Sequence, residues 1–424
     1  MKKLFSVLFI ALASPLLGGC LDSGSSAEPP TLSTTPIAED GRVKITWTAS
    51  PGVNYWLFTA TDPSLTAFVW ANLPNAHVFQ SATSPFYMCG LLNETTYYFA
   101  ANGRIDGGPS GASSPTISAT PRHAGDTWSA NTSLTTENLN GVGYVGLTTC
   151  SNNTASASGS FAAVGTGGAI FTSTDGKSWK STASTGLTSD LHAVTGYAAN
   201  QNNTVNPALR WVAVGASGAS VYSTDGNTWI SPPSGTGTTN NLNGITHGGI
   251  FVAVGDSGTI RSSTDGISWT VPASVPPAGN LNGVTHAGIY VAVGDGGTIL
   301  TSLDGSTWIA GTSGTSNNLQ KVSSIGNTYV AVGDSGTIVT SVDGGVTWTA
   351  KTITGSPANP SFKGIAANSR FVAVDSGGKA YTSNDGVTWS TTVIDTTATQ
   401  LNALVGSGFG YVAVGNAGAT ASSF

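Results

Sequence analysis

The sequence predicts an all-β chain in which a small β-sandwich is followed by a seven-bladed β-propeller. Beyond the first 20 residues, short apolar runs with period-two alternation are bounded by Gly, Pro and Asn, and one unit of about 40 residues recurs from residue 126 onward. No long amphipathic helical pattern occurs in that region. Short strands at regular spacing, without helices between them, are typical of sandwiches and propellers.

The beginning of the chain has the pattern of a targeting segment. Lys2 and Lys3 precede an apolar run that is too short for a membrane-spanning helix, which predicts a signal peptide over residues 1–19. The stretch "LGGC" that ends at Cys20 resembles the lipobox of bacterial lipoproteins. The resemblance implies that Cys20 is the lipid-attachment residue and that residues 20–30 form a lipidated tether. An ordinary signal peptide with a chance cysteine is the alternative.

The same resemblance implies a location. Leu21, rather than an aspartate, follows Cys20. Lipoproteins with this pattern are sorted to the outer membrane, so we expect a lipid-anchored protein of the bacterial cell envelope. It could face either the periplasm or the cell surface.

The net charge of the chain restricts the class of partner. Without Lys2 and Lys3 the chain has 13 basic and 21 acidic residues, a formal net charge of −8. Nucleic-acid binding requires clustered positive charge, so we expect no nucleic-acid partner.

Once Cys20 carries lipid, Cys89 and Cys150 remain. A bridge between them is possible in an oxidising compartment, but two isolated cysteines make no disulfide framework, and we expect them to be unpaired.

Residues 31–122 are predicted to form the sandwich. Val43, Ile45 and Trp47 alternate in "RVKITW", which places three large side chains on one face of a strand. The stretch "LNETTYYFAANG" sets Leu92 six residues before Tyr98 and resembles the tyrosine corner of fibronectin type III domains. This resemblance implies a fibronectin type III-like domain that acts as a spacer or binding unit. Its tryptophans are then expected to pack within the domain.

Residues 126–424 are predicted to form the propeller. The stretches 242–269 and 281–308 are two copies of one unit, with further copies at 139–179, 191–229, 319–348 and 362–389. Each unit divides into four strands, as a propeller blade does. A truncated final copy stops after its third strand. Residues 126–133, where Trp128 aligns with the tryptophans of the other copies, are predicted to supply the fourth strand and so to close a ring of seven blades.

A seven-residue box recurs at the end of each full unit. Its pattern, S-x-D-G-x-[ST]-W with one extra residue in one copy, resembles the Asp-box, or BNR repeat, of sialidases and related propellers. In such a turn the carboxylate accepts backbone N–H groups, Gly supplies a positive φ, and Trp packs on the sheet. A catalytic group is needed once, so six equivalent aspartates are predicted to hold turns. They are Asp175, Asp225, Asp265, Asp304, Asp343 and Asp385.

The opposite hairpins suggest a candidate ligand face. Asp256, Asp295 and Asp334 follow the second strand in three consecutive units. They either stabilise Gly/Asp turns or form an acidic arc that binds a cation, a basic protein patch or sugar hydroxyls. The ring of acids is incomplete, because three other units have Thr166, Ala216 and Asn416 there.

One pair of histidines raises the question of a metal. His247 and His286 match across adjacent units, but copying of the repeat explains this match. No third ligand is foreseeable nearby. We therefore predict no metal site and no cofactor.

An enzymatic function would require residues that the repeats do not supply. A sialidase-like propeller needs converging arginines and a Tyr activated by Glu, whereas Arg210, Arg261 and Arg370 occupy different strand positions and the propeller's one Glu is Glu137. A pair of loop aspartates remains formally able to serve a glycoside hydrolase as general acid and base. These two aspartates lie between units and escape the repeat explanation: Asp190 and Asp395.

A binding function agrees better with the repeats. The unit "VAVGDSGTI" is even more similar to seven-bladed assembly factors related to the photosystem II stability factor, which implies protein binding. We predict a non-catalytic, envelope-anchored binding or scaffold lipoprotein that uses the propeller loop face for a protein or glycan ligand. A sialidase-like glycoside hydrolase that acts on extracellular glycans is the alternative.

Overall fold

The computed structural model describes residues 25–424 except 134, 152–153, 183–185, 200–207, 354–359, 394–399 and 409. The side chains of 147–158, 198–209, 352 and 391–393 are likewise not described. The predictions for the signal peptide and for Cys20 therefore fall outside the described residues. Among the helices that are described, none is long and apolar enough to span a bilayer.

The chain divides into two compact units. The first unit contains residues 25–36, Ile45–Pro85 and Tyr97–Ser118, and the second contains Ile37–Lys44, Phe86–Thr96 and Ala119–Phe424. The division of the sequence at residues 31–122 and 126–424, and the fibronectin type III resemblance, stay predictions.

Two sheets are built from the residues before the repeats. Val43, Ile45 and Trp47 are all buried, as their alternation predicts. Cys89 is disulfide-bonded, so the expectation that this cysteine is unpaired is wrong. The prediction for the Cys89–Cys150 pair falls on Cys150, whose side chain is not described. The strands of the two sheets are β1 (Ser25–Ala27), β2 (Ile37–Glu39), β3 (Arg42–Ile45), β4 (Val53–Ala60), β5 (His77–Ala82), β6 (Phe86–Cys89), β7 (Tyr97–Ile105) and β8 (Ile117–Ala119). One sheet has the order β1-β7-β4-β5, with β8 paired to β7. The other sheet has the order β2-β3-β6.

Seven antiparallel sheets follow in the described part of the chain, and we number them as blades 1–7. Blades 1–3 contain β10 (Leu139–Ser151), β11 (Thr154–Gly165), β12 (Ile170–Ser173) and β13 (Lys180–Ser181); β14 (Leu191–Ala199), β15 (Ala208–Gly215) and β16 (Ser220–Ser223); and β17 (Leu242–His247), β18 (Phe251–Gly255) and β19 (Ile260–Ser263).

Blades 4–7 complete the ring. They contain β20 (Leu281–His286), β21 (Tyr290–Gly294), β22 (Ile299–Ser302) and β23 (Ile309–Gly311); β24 (Leu319–Ile325), β25 (Thr328–Gly333), β26 (Thr337–Ser341) and β27 (Thr349–Thr352); β28 (Phe362–Ala367), β29 (Phe371–Asp375), β30 (Lys379–Ser383) and β31 (Ser390–Val393); and β32 (Leu401–Ser407), β33 (Gly410–Gly415), β34 (Thr420–Ser423) and β9 (Ser129–Asn131).

Helical structure in the described residues is limited to single 3-10 turns. One precedes β5, and the others join the second and third strands of six blades. They are Trp70–Asn72, Thr166–Gly168, Ala216–Gly218, Asp256–Gly258, Asp295–Gly297, Asp334–Gly336 and Asn416–Gly418.

The ring closes as the sequence predicts. β9 pairs antiparallel with β34, in the register Thr420↔Asn131 and Ser422↔Ser129. The prediction of four strands in every blade is wrong for blades 2 and 3. There the fourth strand is a single bridge residue, Ile230 or Thr270, because prolines follow within two residues and cannot donate to a ladder.

The second strand of each blade is buried on both faces, which explains its continuous apolar sequence. In blade 3, Phe251 and Ala253 pack against Val212 and Val214 of blade 2. Val252 and Val254 alternate with them and pack against blade 4. All four are fully buried. Each blade is thereby joined to both neighbours through one strand.

Candidate functional site

The start of each inner strand lies beside the turn between the second and third strands. In blade 3, for example, Leu242 pairs with Gly255, one residue before Asp256, and a bulge follows at Asn243. The inner strands enclose a cavity of about 140 Å³ at this end, which we call the channel mouth. All seven blades line it: Asn140, Gly141, Val142, His192, Ala193, Val194, Gly244, Ile245, Gly283, Val284, Lys321, Val322, Gly364, Ile365, Ala403 and Leu404.

Asp256, Asp295 and Asp334, which we call the acidic arc, lie on the rim of the channel mouth and are half-buried. The Asp256 carboxylate accepts hydrogen bonds from the Asn241 and Asn243 side-chain amides, at 2.9 and 2.8 Å. Asn280 and Asn282 hold Asp295 in the same way, at 3.0 and 2.9 Å.

Asp334 differs slightly from the other two. Its carboxylate accepts from the Ser361 hydroxyl at 3.0 Å, and from the Gln320 and Asn318 amides at 3.3 and 3.4 Å. In the described residues, no carboxylate of the arc accepts a hydrogen bond from a backbone N–H of its own turn. These three aspartates are thus oriented by neighbouring side chains.

In blades 1–5 the residue before the inner strand accepts a backbone N–H from the turn of the preceding blade. The Asn241 side-chain oxygen accepts the N–H of Ser217 at 2.9 Å, and Asn280 accepts that of Ser257 at 3.0 Å. Ser257 has a left-handed backbone conformation, with φ 53°. Asp190 occupies the equivalent position and accepts the N–H of Gly167 at 2.8 Å. The interpretation that Asp190 escapes the repeat is therefore wrong. Asp395 lies outside the described residues.

Lys321 is a residue of the channel mouth that the sequence reasoning missed. Its ammonium donates to the backbone carbonyls of Asn282 at 2.8 Å and Asn243 at 3.1 Å, on two other blades. Burial lowers the Lys321 pKa to about 8. A signal existed, because blade 5 reads "LQKVSS" where blade 4 reads "LNGVTH". The other inner strands have small residues at this position: Gly141, Ala193, Gly244, Gly283, Gly364 and Ala403.

The box aspartates lie in turns that they bond internally. The Asp265 carboxylate accepts hydrogen bonds from the Ser263 hydroxyl at 2.9 Å and from the N–H groups of Ile267 and Ser268 at 2.8 Å. Partial burial raises the Asp265 pKa, but these donors outweigh it and leave the pKa below its ordinary value. In Asp385 the N–H of Thr388 is the largest influence, and the pKa is lowered to about 2.

Asp175, Asp225, Asp304 and Asp343 accept the corresponding bonds in their own boxes. The geometry supports the turn role that the sequence predicts for all six residues. A depressed folded-state pKa stabilises the fold above the unfolded pKa, near 4, and this contribution is lost as the pH falls towards about 2.

Asp265→Ala is expected to destabilise the propeller by about 1–2 kcal/mol, because three donors lose their shared acceptor. Asp265→Asn keeps one oxygen as acceptor and should lose less than half of that amount. Urea unfolding measures both variants. If Asp265→Ala leaves the unfolding midpoint unchanged, the turn role is wrong.

The three arginines of the enzymatic hypothesis do not converge. Arg210 donates to the Asp265 carbonyl at 2.8 Å, and Arg261 donates to the Thr236 carbonyl at 3.1 Å. Arg370 donates to the Ala124 carbonyl at 2.9 Å and pairs with Asp126. Each guanidinium is bound to a separate stretch of backbone, so these residues assemble no carboxylate-binding cluster.

The remaining candidates from the enzymatic and metal hypotheses also have local partners. Glu137 accepts a hydrogen bond from the Thr166 hydroxyl at 2.7 Å. His247 stacks on Tyr197 with ring centroids 4.0 Å apart, and burial, together with His286, lowers its pKa. Within the described residues, no group of three or more His, Cys, Asp or Glu side chains could hold a metal ion.

Comparisons with known proteins show the fold. No protein-family model and no curated protein matches the chain. Among solved structures it is similar to YCF48 from Cyanidioschyzon merolae, with 19% identity, a TM-score of 0.51, and coverage of 70% of this chain and 98% of that one.

Two further structures cover the same share of this chain. A structure described as YCF48 bound to D1 peptide has 18% identity and a TM-score of 0.53, with 94% of its length covered. A streptogramin B lyase has 10% identity and a TM-score of 0.55, with 97% covered. At these identities the likenesses establish a β-propeller and do not distinguish a binding protein from an enzyme.

Proposed function

We propose that this chain is a non-catalytic binding scaffold whose channel-mouth face takes a positively charged segment of a partner protein. The acidic arc carries this proposal. Its carboxylates lie on three consecutive blades and are fixed in position by side-chain amides. An amide is neutral, so the three negative charges are oriented without being compensated.

The arc differs from the box turns in how its hydrogen-bonding capacity is used. Asp265 bonds within its own turn, whereas Asp256 and Asp295 receive one amide donor on each oxygen. A carboxylate oxygen has room for a further donor, so Lys or Arg side chains of a partner can bind without displacing the amides. One propeller of similar fold has been solved with a bound peptide, which agrees with a protein ligand.

Peptide binding tests the proposal. Labelled peptides of equal length, one rich in Lys and Arg, one uncharged and one acidic, are titrated with the protein at low and high salt. The basic peptide is expected to bind best, with an affinity that falls as salt rises. The triple substitution Asp256→Asn, Asp295→Asn and Asp334→Asn should weaken binding of the basic peptide at least about tenfold, which corresponds to about 1.4 kcal/mol.

A matched control removes the same charge from the other face. The triple substitution Asp175→Asn, Asp225→Asn and Asp304→Asn changes three box turns and should leave peptide affinity within about twofold. Equal losses in the two triple variants would assign the effect to net charge and overturn the arc as a site. Binding on a glycan array would indicate a glycan ligand instead of a protein ligand. Turnover of a fluorogenic glycoside would indicate an enzyme instead of a non-catalytic scaffold.

We further propose that the scaffold is lipid-anchored in the bacterial outer membrane through Cys20. The support is the lipobox-like stretch before Cys20 and the Leu21 that follows it. Cys20→Ser should move the protein from the membrane fraction to the soluble fraction, while Ser23→Ala, which changes the same segment and keeps Cys20, serves as the control. Membrane retention of Cys20→Ser would contradict lipidation.

A further inference from the structure

The Lys321 ammonium has no counter-ion in the described structure. Of its three N–H donors, two bind the carbonyls of Asn282 and Asn243, which leaves one without a protein acceptor among the described residues. The two ion pairs found in the described residues involve other groups. Carbonyl oxygens solvate a cation without neutralising it. A positive charge is therefore held inside the ring with one donor unused.

The space beside Lys321 is large enough for a small ligand. At this level the other six blades have Gly or Ala, and the cavity of about 140 Å³ remains open beside the lysine. A water molecule takes about 30 Å³ of liquid, so the cavity has room for a few waters or for one ion of that combined size. The next residue of each inner strand also borders the cavity, but its side chain packs between blades: Val142, Val194, Ile245, Val284, Val322, Ile365 and Leu404.

The surrounding charges restrict the ligand to a monoanion. Asn243 presents its carbonyl to Lys321 and its amide to Asp256, so one residue joins the ammonium to the rim carboxylate. Asn282 joins Lys321 to Asp295 in the same way. A single negative charge balances the lysine, whereas a dianion would place a second charge near the acidic arc.

From this geometry we propose that the channel mouth contains an anion site in which Lys321 binds the carboxylate group of a small monocarboxylic acid. The unused N–H forms a charge-assisted hydrogen bond with one carboxylate oxygen, and the open space beside Lys321 accommodates the short carbon chain. The site is separate from the acidic arc and does not depend on a basic partner. With one ammonium as the main donor, the expected affinity is millimolar.

Acetate and acetamide, which have the same shape and differ in charge, test the site in the full-length protein. Binding of 13C-labelled acetate is followed by NMR titration. The wild-type protein should bind acetate at millimolar concentration and acetamide at least about tenfold more weakly. Lys321→Met should weaken acetate binding at least about tenfold, while Lys321→Arg retains it. Lys363→Met removes another inner-strand lysine, on blade 6, and should change the affinity by less than about twofold.

Two results would overturn the site. One is acetate binding that is absent in the wild-type protein or equal to that of acetamide, which leaves only water beside Lys321. The other is an unchanged affinity in Lys321→Met. If that variant does not fold, titration of the Lys321 side-chain NMR signal replaces it: acetate should raise the lysine pKa, and no change in the pKa would refute the proposal. Peptide binding at the arc is measured separately, so failure of one proposal leaves the other standing.

Discussion

Ser129→Pro is expected to destabilise the propeller far more than Ile309→Pro, although both residues have the same place in an outer strand. Each directly follows the Trp of its box, and each pairs with the residue before the box Ser: Ser422↔Ser129 in blade 7 and Thr301↔Ile309 in blade 4. In blade 2 the equivalent pair, Tyr222 and Ile230, exchanges two N–H···O bonds of 2.9 Å. Proline removes one of these bonds.

The difference arises from what each strand holds together. Loss of the outer strand in blade 4 would leave a three-stranded blade, which blades 2 and 3 show to be compatible with the ring. Loss of β9 in blade 7 would break the strand pairing between opposite ends of the repeat array and leave blades 7 and 1 joined by side-chain packing. It would also expose the edge of β34.

A split box strengthens the same junction. The N–H of Gly125 donates to the Ser423 hydroxyl at 2.7 Å, as the N–H of Gly226 does to Ser223 within an intact box at 2.9 Å. The Trp128 indole donates to the Gly125 carbonyl at 3.0 Å, which again repeats an intact box. Ser423 and the segment from Gly125 to Trp128 thus form a seventh box from two distant parts of the chain.

Thermal and urea unfolding measure the difference. Ile309→Pro should lose about 1–3 kcal/mol, the value of a broken hydrogen bond with local distortion, and Ser129→Pro should lose at least about 2 kcal/mol more. Ser423→Ala, which removes only the hydroxyl of the split box, should fall between the wild-type protein and Ser129→Pro. Equal losses for the two prolines would mean that blade 7 contributes no more than any other blade.

Repetition explains how much of this structure the sequence predicts. Six boxes in register identify the blades, and the alternation in each second strand identifies its burial. The split box escapes a motif search, because its Ser and its Gly-to-Trp segment are 298 residues apart, measured from Gly125 to Ser423. Only the alignment of Trp128 with the other tryptophans indicates it beforehand.

The candidate site is less accessible to such reasoning. The partners of Asp256 are the side chains of Asn241 and Asn243, and the inner strand has a bulge at Asn243 that its sequence does not indicate. Lys321 bonds to residues 39 and 78 positions away, on two other blades. Departures from the repeat, such as Lys321 in place of a small residue, are the signal that sequence offers for these contacts.

Trp211→Ala is expected to be the most damaging single core substitution, with a loss of about 3–5 kcal/mol. Trp211 begins the buried run of β15 and is fully buried, in a cluster with Val145, Val194 and Trp229 between blades 1 and 2. Gly196 leaves it space, because a Cβ there would lie 2.8 Å from the indole. Truncation to Ala leaves a cavity that a ring of packed blades cannot easily collapse to fill.

Trp211→Phe separates volume from polarity. Phe or Tyr occupies this position in the other six blades, so an aromatic ring fits the site, and the Trp211 indole N–H has no hydrogen-bond partner among the described residues. Replacing the indole by Phe removes an unsatisfied buried donor as well as some volume, and these effects oppose each other. We therefore expect a loss of less than about 1.5 kcal/mol in urea unfolding. A loss as large as that of Trp211→Ala would show that the indole N–H makes a bond on which blades 1 and 2 depend.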